Sequence, residues 1–365
     1  MKEKITSRQF YALMVLLPYG TAVLFYLAPE AKNDTWIVLL FYSIISILIQ
    51  MIYIILHNKY PNDSIVTYLP KIYGKHIGYG LSAAYIVYFS YLAYRNLRDF
   101  AELVAVFNLV RTPLPVIGAL FMSVIVYSVY KGIENIGSMA QMGLIIIIIS
   151  IIVLWILLVI TPHSLYYYNT YPILKNGFMP TMIKGYKVIQ LPYSEFVVMT
   201  MLYPFVMEKT KVKKAVVFAT ITEGIILALN NILFLFALGY TFASVNNYPL
   251  LETLRLVHIG DFLNRLDIIF IVVLMLGGFF KISILIYCSV LGTVQLLKIK
   301  NWGLMCIIFG SIIWVYFDIM VMSETYPQFI DRITNHLPMS IVIPVLSLIV
   351  YYIKKLTKKI LSSSP

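Results

Sequence analysis

The chain has 365 residues, of which 61% are hydrophobic and only 12% are charged. Soluble domains have about 45–50% apolar and about 25% charged residues, so this composition excludes a water-soluble globular protein. Because the hydrophobic residues occur in long blocks, the chain is predicted to cross a membrane several times. The formal net charge of +12 does not indicate nucleic-acid binding, since the basic residues lie in short segments between the hydrophobic blocks.

Hydrophobic blocks of roughly 17–25 residues are typical of membrane-spanning helices. Ten such blocks predict an all-α integral membrane protein with ten transmembrane helices, in a single domain over residues 1–365. In chain order the predicted spans are Phe10–Ala28, Trp36–Leu56, Gly80–Phe107, Val116–Tyr130, Leu144–Ile160, Val188–Met207, Ala215–Tyr240, Ile268–Leu297, Leu304–Met322 and Pro338–Ile353.

The distribution of basic residues predicts the orientation of the chain. With the N-terminus inside, the inner segments hold seventeen lysines and arginines and the outer segments hold eight. By the positive-inside rule this difference places both termini in the cytoplasm. The first block has no small-residue cleavage site near its end, so it is predicted to be a retained helix and not a signal peptide.

Two predicted spans contain helix-breaking residues at related positions. Pro18–Thr21 (PYGT) falls in the first span and Pro192–Glu195 (PYSE) in the sixth. Proline removes a backbone donor and glycine tolerates unwound backbone, so each break frees polar groups at membrane depth. Interrupted helices in two inverted halves mark the binding site of many transporters. The pattern predicts a five-plus-five inverted repeat over residues 8–161 and 185–357, joined by an outer loop at 162–187, with simple proline kinks as the alternative.

The third span carries four charged residues whose spacing places them on one helical face. They are Arg95, Arg98, Asp99 and Glu102. Arg95 with Asp99 and Arg98 with Glu102 form two pairs of opposite sign four residues apart. This face is interpreted either as an ion-pair ladder that stabilises the helix or as one wall of a binding site.

Three further ionisable residues are predicted within the membrane, where an unpaired charge costs several kcal/mol. Glu195 lies at the break in the sixth span, Glu223 lies near the middle of the seventh, and Lys281 follows two glycines in the eighth. A lysine among carboxylates at this depth is either a fixed countercharge or part of a proton-coupled site.

The residues that usually carry enzymatic chemistry are scattered along the chain. Its five histidines and two cysteines form no metal-binding or redox motif, and no phosphate-binding glycine loop or nucleophile elbow occurs. No enzyme activity, cofactor or metal site is therefore predicted. A channel is poorly supported, because no ring of like charges or filter-like loop is found.

Short motifs distributed along most of the chain resemble one known family. They are Ile5–Gln9 (ITSRQ) with Gly20, Asp34–Trp36 (DTW), Arg98–Leu103 (RDFAEL) with Arg111–Leu114 (RTPL), Leu191–Glu195 (LPYSE) with Pro204–Phe205, and Ile259–Asp267 (IGDFLNRLD) with Gly277–Lys281 (GGFFK). Together they resemble the membrane-embedded B subunits of bacterial spore germinant receptors, which belong to the amino acid–polyamine–organocation transporter superfamily.

The resemblance implies a LeuT-like bundle whose first and sixth helices unwind around a small-molecule pocket that helices 3 and 8 also line. In that family the pocket binds a germinant, commonly an amino acid. The subunit works with an A subunit and a lipid-anchored C subunit in the spore inner membrane, and many members are regarded as sensors and not pumps. The ligand-binding residues carried over to this chain are Gly20, Thr21, Arg98, Ser194, Glu195, Lys281 and Ser283.

The expected function is therefore germinant sensing, with a signal that leaves through basic inner loops such as Lys209–Lys214. The partial positive charge of half-helix N-termini would hold a ligand carboxylate, and unwound carbonyls or Glu195 would hold its ammonium group. Membrane lipid is also an expected partner, and nucleic acid is not. Two alternatives stay open: a proton-coupled amino-acid transporter that titrates Glu195, Glu223 or Lys281, and a scaffold with a vestigial pocket.

Overall fold

The computed structural model of the chain describes residues 3–107, 109, 111–257, 266–321 and 336–363. Within these ranges the regular elements are helices, apart from one isolated parallel bridge between Ile5 and Val206. The prediction of an all-α protein is confirmed. The Ile259–Arg265 part of one quoted motif, together with His258 and Arg332, lies outside the described residues.

Twelve α-helices are described along the chain. Their bounds are α1 Ser7–Ala22, α2 Thr35–Lys59, α3 Ile65–Tyr73, α4 Lys75–Phe107, α5 Leu114–Tyr130, α6 Ile133–Ile160, α7 Phe178–Lys184, α8 Val212–Val245, α9 Pro249–Arg255, α10 Leu266–Leu297, α11 Trp302–Val321 and α12 Ile343–Ser363. One π-helical turn, Pro338–Val342, precedes α12. Short 3₁₀ helices fill several connections.

Six helices in the described part of the chain are long and apolar enough to cross a membrane, and α5 is apolar but shorter. The six correspond to α2, α6, α8, α10, α11 and the end of the chain from Pro338. The three remaining predicted spans differ from these helices in length, composition or secondary structure. Helix α1 has only 16 residues, α4 is diluted by tyrosines and charges, and the sixth predicted span contains no α-helix. These are the spans in which the sequence placed the breaks and the ion-pair face.

Helix α6 shows why the chain is an integral membrane protein. Its 28 residues include isoleucines that stay exposed on the outside of the bundle, such as Ile145, Ile149 and Ile156. A water-soluble protein would bury such a face, whereas lipid solvates it at no cost. The chain is therefore a multi-pass integral membrane protein.

Helix α1 lies at the centre of the bundle, where it packs against α6, α8 and α10. Around it, α2 packs along α8 and α4 packs along α10. Gly20 permits the closest of these approaches. A Cβ atom at this position would lie 2.8 Å from the Gly277 carbonyl oxygen and 2.8 Å from Cβ of Lys281. Small residues at helix contacts are a common means of close packing in membranes.

The predicted interruption of the first span at Pro18–Thr21 is wrong in position. Helix α1 continues through Pro18 and ends at Ala22, where Leu24 N–H bonds to the Thr21 carbonyl 3.0 Å away. Because proline has no N–H group, only the carbonyl one turn before Pro18 lacks its helical hydrogen bond. Close packing on all sides stabilises the helix beyond Pro18. Gly20 is therefore needed for close contact with α10 and not for an unwound backbone. The chain leaves the helix one turn after Pro18, and the backbone of Ala28 is left-handed with φ 50°.

The interruption of the sixth span is longer than predicted. A 3₁₀ helix occupies Tyr193–Met201, all nine of its residues are buried, and further 3₁₀ turns flank it at Tyr186–Ile189 and Tyr203–Phe205. Runs of 3₁₀ helix longer than three or four residues are uncommon because their hydrogen bonds are poorly aligned. We refer to Tyr193–Met201 as the 3₁₀ segment.

The N-terminal residues attach α1 to the chain that follows the 3₁₀ segment. Ile5 N–H bonds to the Phe205 carbonyl and Met207 N–H bonds to the Ile5 carbonyl, each at 2.9 Å. Thr6 and Gln9 form a capping box at the start of α1. The carboxylate of Glu208 accepts a hydrogen bond from the Ser7 N–H, which holds the pKa of this carboxyl below its ordinary value. The two interrupted elements are thus joined at the lysine-rich end of the bundle.

Candidate functional site

The side chain of Lys281 joins three elements in the middle of the bundle. It is fully buried on α10, and its Nζ donates a hydrogen bond to Thr21 Oγ1 on α1 at 2.5 Å. The same Nζ lies 2.7 Å from Oε2 of Glu195 in the 3₁₀ segment, whose side chain is 3% exposed. The structure therefore brings together three of the residues that the sequence singled out. We call Thr21, Glu195, Glu223 and Lys281 the central cluster.

The contact between Lys281 and Glu195 is an ion pair without hydrogen-bond alignment. Oε2 of Glu195 makes no hydrogen bond of standard geometry with the residues that the structure describes. Because both groups are removed from water, their attraction offsets a desolvation cost of several kcal/mol for each ion. Loss of either partner would leave the other charge buried, so the pair ties the 3₁₀ segment to α10.

Glu223 contributes a second carboxylate to the central cluster. It is fully buried on α8, and neither of its carboxyl oxygens has a hydrogen-bond partner among the described residues. Lys281 and Glu195 both lie within electrostatic reach of it. The cluster thus contains one cation and two carboxyl groups, which makes it a site that favours an additional positive charge, either a proton or an ammonium group.

The predicted serine ligands differ in their surroundings. Ser283 is fully buried on α10, and its hydroxyl has no hydrogen-bond partner in the described part of the chain. Ser194 donates a short hydrogen bond to the Gln190 carbonyl, so its hydroxyl serves the local backbone. Gly20 contributes only its backbone, against α10.

A polar cavity of about 490 Å³ lies against the charged face of α4. Arg95, Arg98, Asp99 and Glu102 all line it, as the predicted common face requires. Of the two expected pairs, Arg98 and Glu102 form an ion pair, with Nε 2.6 Å from Oε1, and Arg95 lies within electrostatic reach of Asp99. The remaining walls come from residues after α1, from α4 tyrosines, from the end of α8 and from the chain between α8 and α9: Phe25, Tyr26, Tyr91, Tyr94, Ala243, Ser244, Asn246, Asn247 and Tyr248.

The predicted ligand-binding residues therefore fall into two groups. Arg98 lines the cavity, whereas Gly20, Ser194, Ser283 and the central cluster do not. Asp99 connects the two groups, because both Arg95 and Lys281 act on its carboxylate electrostatically. The asparagines at 246–247 were missed by sequence reasoning. Their position depends on a break in α8 at Gly239, which has φ 71° and no strong sequence signal beyond the glycine itself.

The described residues contain no group of three or more histidine, cysteine, aspartate or glutamate side chains placed to hold a metal ion. Cys288 and Cys306 are both buried and unpaired. Charged, hydroxyl and amide side chains supply the polar groups of the cavity.

The sequence is similar to those of known spore germination proteins. A sequence model of the family described as "Spore germination protein" matches residues 4–327. Spore germination protein KB of Bacillus subtilis (strain 168) is 32% identical over 312 residues, which are 82% of this chain and 80% of that protein. Spore germination protein YndE of the same organism is 25% identical, over 93% of this chain and 96% of its own.

Among solved structures, this chain is similar to Mhp1, a nucleobase-cation-symport-1 family transporter in a closed conformation with bromovinylhydantoin bound. The TM-score is 0.57 at 11% sequence identity, and the match covers 86% of this chain and 72% of the transporter. At that identity the likeness concerns the fold alone. The helices thus have the arrangement of a transporter.

Proposed function

We propose, because this chain belongs to the spore germination protein family, that it is the membrane-embedded germinant-sensing subunit of a spore germinant receptor. We also propose that it lies in the spore inner membrane with ten spans, two inverted repeats over residues 8–161 and 185–357, and both termini in the cytoplasm. The transporter-like arrangement and the excess of basic residues at one end of the bundle support this topology.

One observation carries the proposal: Lys281 holds Thr21 and Glu195 together where the end of α1 meets the 3₁₀ segment. Transporter folds bind their ligands between two such interrupted elements. A charged ligand beside Asp99 in the cavity would change the electrostatic balance at Lys281 and thereby the position of both elements relative to α10. The central cluster is therefore the proposed link between ligand binding and conformational change.

The polar cavity is the proposed entry and binding site for a zwitterionic germinant such as an amino acid. Two guanidinium groups and two carboxylates line it, so its charged walls are balanced and can pair with both ends of a zwitterion. Arg98 is suited to a bidentate contact with the ligand carboxylate. Asp99 and Glu102 are suited to the ammonium group, and the cavity tyrosines offer apolar surface to its side chain.

The energy needed for sensing is modest. A ligand that prefers one of two conformations by a factor of about 100 supplies roughly 2.7 kcal/mol of bias. Two or three hydrogen bonds to charged groups, at about 1.5–3 kcal/mol each, are sufficient for this difference. Release of the contact between Lys281 and Glu195 in one conformation is the proposed source of the differential affinity.

The proposed partners are the A and C subunits of the receptor. Lys209, Lys211, Lys213 and Lys214 are all exposed at the end of the bundle where α8 begins, directly after the chain that α1 contacts. A movement of the 3₁₀ segment would reach this surface through residues 202–208, which also contact Ile5. We expect a variant with these four lysines changed to glutamine to bind germinant normally and to fail in the germination response of spores.

Binding to the purified full chain in lipid nanodiscs tests the proposal. A panel of radiolabelled L-amino acids is the probe, and we expect one or more to bind the wild type and to bind Glu195→Gln and Arg98→Gln at least tenfold more weakly. Glu252→Gln is the matched control, since that carboxylate pairs with Arg255 outside the cavity. Equal binding by all four proteins would refute the proposed site.

A proton-coupled amino-acid transporter is the second candidate function. The transporter fold and the unpartnered carboxyl of Glu223 among the described residues favour it. Uptake of the bound amino acid into proteoliposomes under an imposed pH gradient separates the two candidates. Binding without uptake supports the sensor, and gradient-dependent uptake supports the transporter.

A further inference from the structure

The short helix α7 lies against the beginning of α2. The rings of Phe178 on α7 and Phe41 on α2 meet edge to face, with centroids 5.6 Å apart. The Tyr42 hydroxyl donates a buried hydrogen bond to the Met182 carbonyl at 2.9 Å. Ring packing and a hydrogen bond therefore fix the position of α7 along α2.

The side of α2 that α7 contacts becomes exposed and apolar directly afterwards. Phe41, Ile44 and Leu48 follow one another at intervals of three and four residues, so they lie on one side of the helix. Ile44 is 62% exposed and Leu48 is 64% exposed. Lipid solvates such residues in a membrane protein. Helix α7 thus lies where the lipid-facing side of α2 begins.

This end of the bundle is opposite the lysine-rich end. Helix α2 runs from Thr35 to Lys59, and Lys209 Nζ donates to Asn62 Oδ1, shortly after its last residue, at 2.6 Å. Because α7 contacts the second turn of α2, it lies at the other end. In the proposed topology that end faces the outside of the membrane.

Helix α7 is amphipathic. Met179 and Ile183 are four residues apart, so they share one side, and they are 62% and 64% exposed. Thr181 and Lys184 are three residues apart on the other side, where both line a second cavity, of about 320 Å³. The described residues therefore leave the apolar side of α7 uncovered, while its polar side faces this second cavity.

The chain around α7 is basic. Residues 173–187 include Lys175, Lys184 and Lys187, all of them exposed, and no acidic residue. Lys187 Nζ lies 2.6 Å from Oε1 of Glu30. Lys175 and Lys184 form no ion pair with the residues that the structure describes. Two cations are thus available to an anionic group from outside the chain.

The carboxylates that line the second cavity already have partners. Glu30 is paired with Lys187, and Oδ1 of Asp34 accepts a hydrogen bond from the Leu174 N–H at 2.8 Å. Lys32 lines the cavity as well, and its Nζ lies 5.9 Å from the centre of the Tyr240 ring. The lysines of this cavity therefore favour an anion.

We propose that residues 173–187 form an interfacial segment that binds anionic phospholipid. Met179 and Ile183 lie among the acyl chains, beside the exposed side of α2, and Lys175 and Lys184 pair with headgroup phosphates. A helix with one apolar side and lysines near the other lies in the plane of the interface, where apolar burial and attraction to anionic lipid both stabilise it. A second copy of the chain fits this surface poorly, because it would bring two sets of lysines together.

This inference goes beyond germinant sensing, and its test measures the depth of α7 in membranes of defined charge. The full chain with a nitroxide label at Met179→Cys is reconstituted into vesicles of phosphatidylglycerol or of phosphatidylcholine. Electron paramagnetic resonance compares label collisions with oxygen, which concentrates among acyl chains, and with a nickel chelate, which stays in water. Because Cys288 and Cys306 are buried, the chain without the added cysteine gives the labelling background.

In phosphatidylglycerol we expect the ratio of oxygen to nickel collisions at position 179 to be at least threefold higher than at Asn58→Cys, an exposed position at the lysine-rich end. Lys175→Gln combined with Lys184→Gln should lower the ratio at position 179 at least twofold. In phosphatidylcholine the same double variant should have no effect, because that lipid carries no net negative charge.

Lys354→Gln combined with Lys355→Gln is the matched control. These exposed lysines follow Tyr351, whose ring contacts Tyr60 at the lysine-rich end, so the ratio at position 179 should not change. A label at Ile149→Cys, on the exposed side of α6, reports in every variant that the bundle is folded and inserted.

Three results would overturn the proposal. The first is a ratio at position 179 as low as that at position 58, which would place α7 in water. The second is an equal ratio in the wild type and the Lys175 and Lys184 double variant. The third is a label at position 179 that neither reagent reaches, which would mean that protein covers this surface instead of lipid. None of these results depends on amino-acid binding in the polar cavity beside α4.

Discussion

The ion pair between Lys281 and Glu195 permits a double-mutant cycle whose outcome follows from burial and charge. Lys281→Met keeps most of the side-chain volume but removes the cation, and it leaves Glu195 and Glu223 as two buried carboxyl groups without a countercharge. Breaking a buried pair in this way costs about 3–5 kcal/mol. Glu195→Gln leaves Lys281 with Thr21 and with Glu223 nearby, so we expect a smaller cost of about 1–3 kcal/mol.

The double variant Lys281→Met with Glu195→Gln removes both charges. Replacing a whole buried pair by uncharged groups is often close to neutral. We therefore expect the double variant to be more stable than Lys281→Met alone, with a coupling energy that approaches the sum of the two single losses, about 4–8 kcal/mol. The free energy of unfolding in mixed micelles, measured by titration with sodium dodecyl sulfate, gives all four corners of the cycle.

The sign of a pH effect provides a second check on the same variant. In Lys281→Met the penalty comes from buried carboxylates, and protonation removes that charge. The loss of stability should therefore be smaller in mild acid than at neutral pH. Strict additivity of the two single changes, together with a pH-independent loss in Lys281→Met, would show that the buried pair does not hold the 3₁₀ segment to α10.

Three further predictions concern the contacts around the site. Gly20→Ala should destabilise the protein by about 1–3 kcal/mol, because the added Cβ atom would collide with α10. Gly80→Ala is its control: a Cβ atom there meets nothing within 4 Å, so this variant should be neutral or slightly stabilised in the same unfolding titration. Replacing either Arg98 or Glu102 by glutamine should change the free energy of unfolding by no more than about 1 kcal/mol, since both side chains are partly exposed in the cavity. Amino-acid binding should fall at least tenfold in each variant. A large loss of stability would show that the pair has a structural role instead. Glu208→Gln should weaken the attachment of the N-terminal segment at neutral pH but not in acid, because a carboxyl whose folded pKa is depressed loses its contribution to stability as the pH falls through that pKa. Hydrogen exchange at the Ser7 amide measures this attachment. Equal exchange in the wild type and the variant at neutral pH would contradict the prediction.

Hydrophobic periodicity and charge placement in the sequence determined the fold class, the family and the charged face of α4. Long apolar blocks such as Ile133–Ile160 can be stable only in lipid, so composition was sufficient for the prediction of an all-α multi-pass membrane protein. The motifs around Arg98 and Glu195 were sufficient for the family, which the match over residues 4–327 confirms. The shared face of Arg95, Arg98, Asp99 and Glu102 followed from helical spacing alone and is present in the structure. The ten-span topology and the ligand assignments stay predictions.

Only the tertiary structure decided how the interrupted elements are built and which charges meet. Both Pro18–Thr21 and Pro192–Glu195 begin with a proline, yet the first remains helical and the second leads into a 3₁₀ run. The difference arises because helix geometry at a proline depends on the partners packed around it, and these come from distant parts of the chain. For the same reason the pairing of Lys281 with Glu195 and the hydrogen bond from Gln50 on α2 to Thr220 on α8 required the packed bundle, since sequence spacing relates residues on one helix but not residues on neighbouring helices.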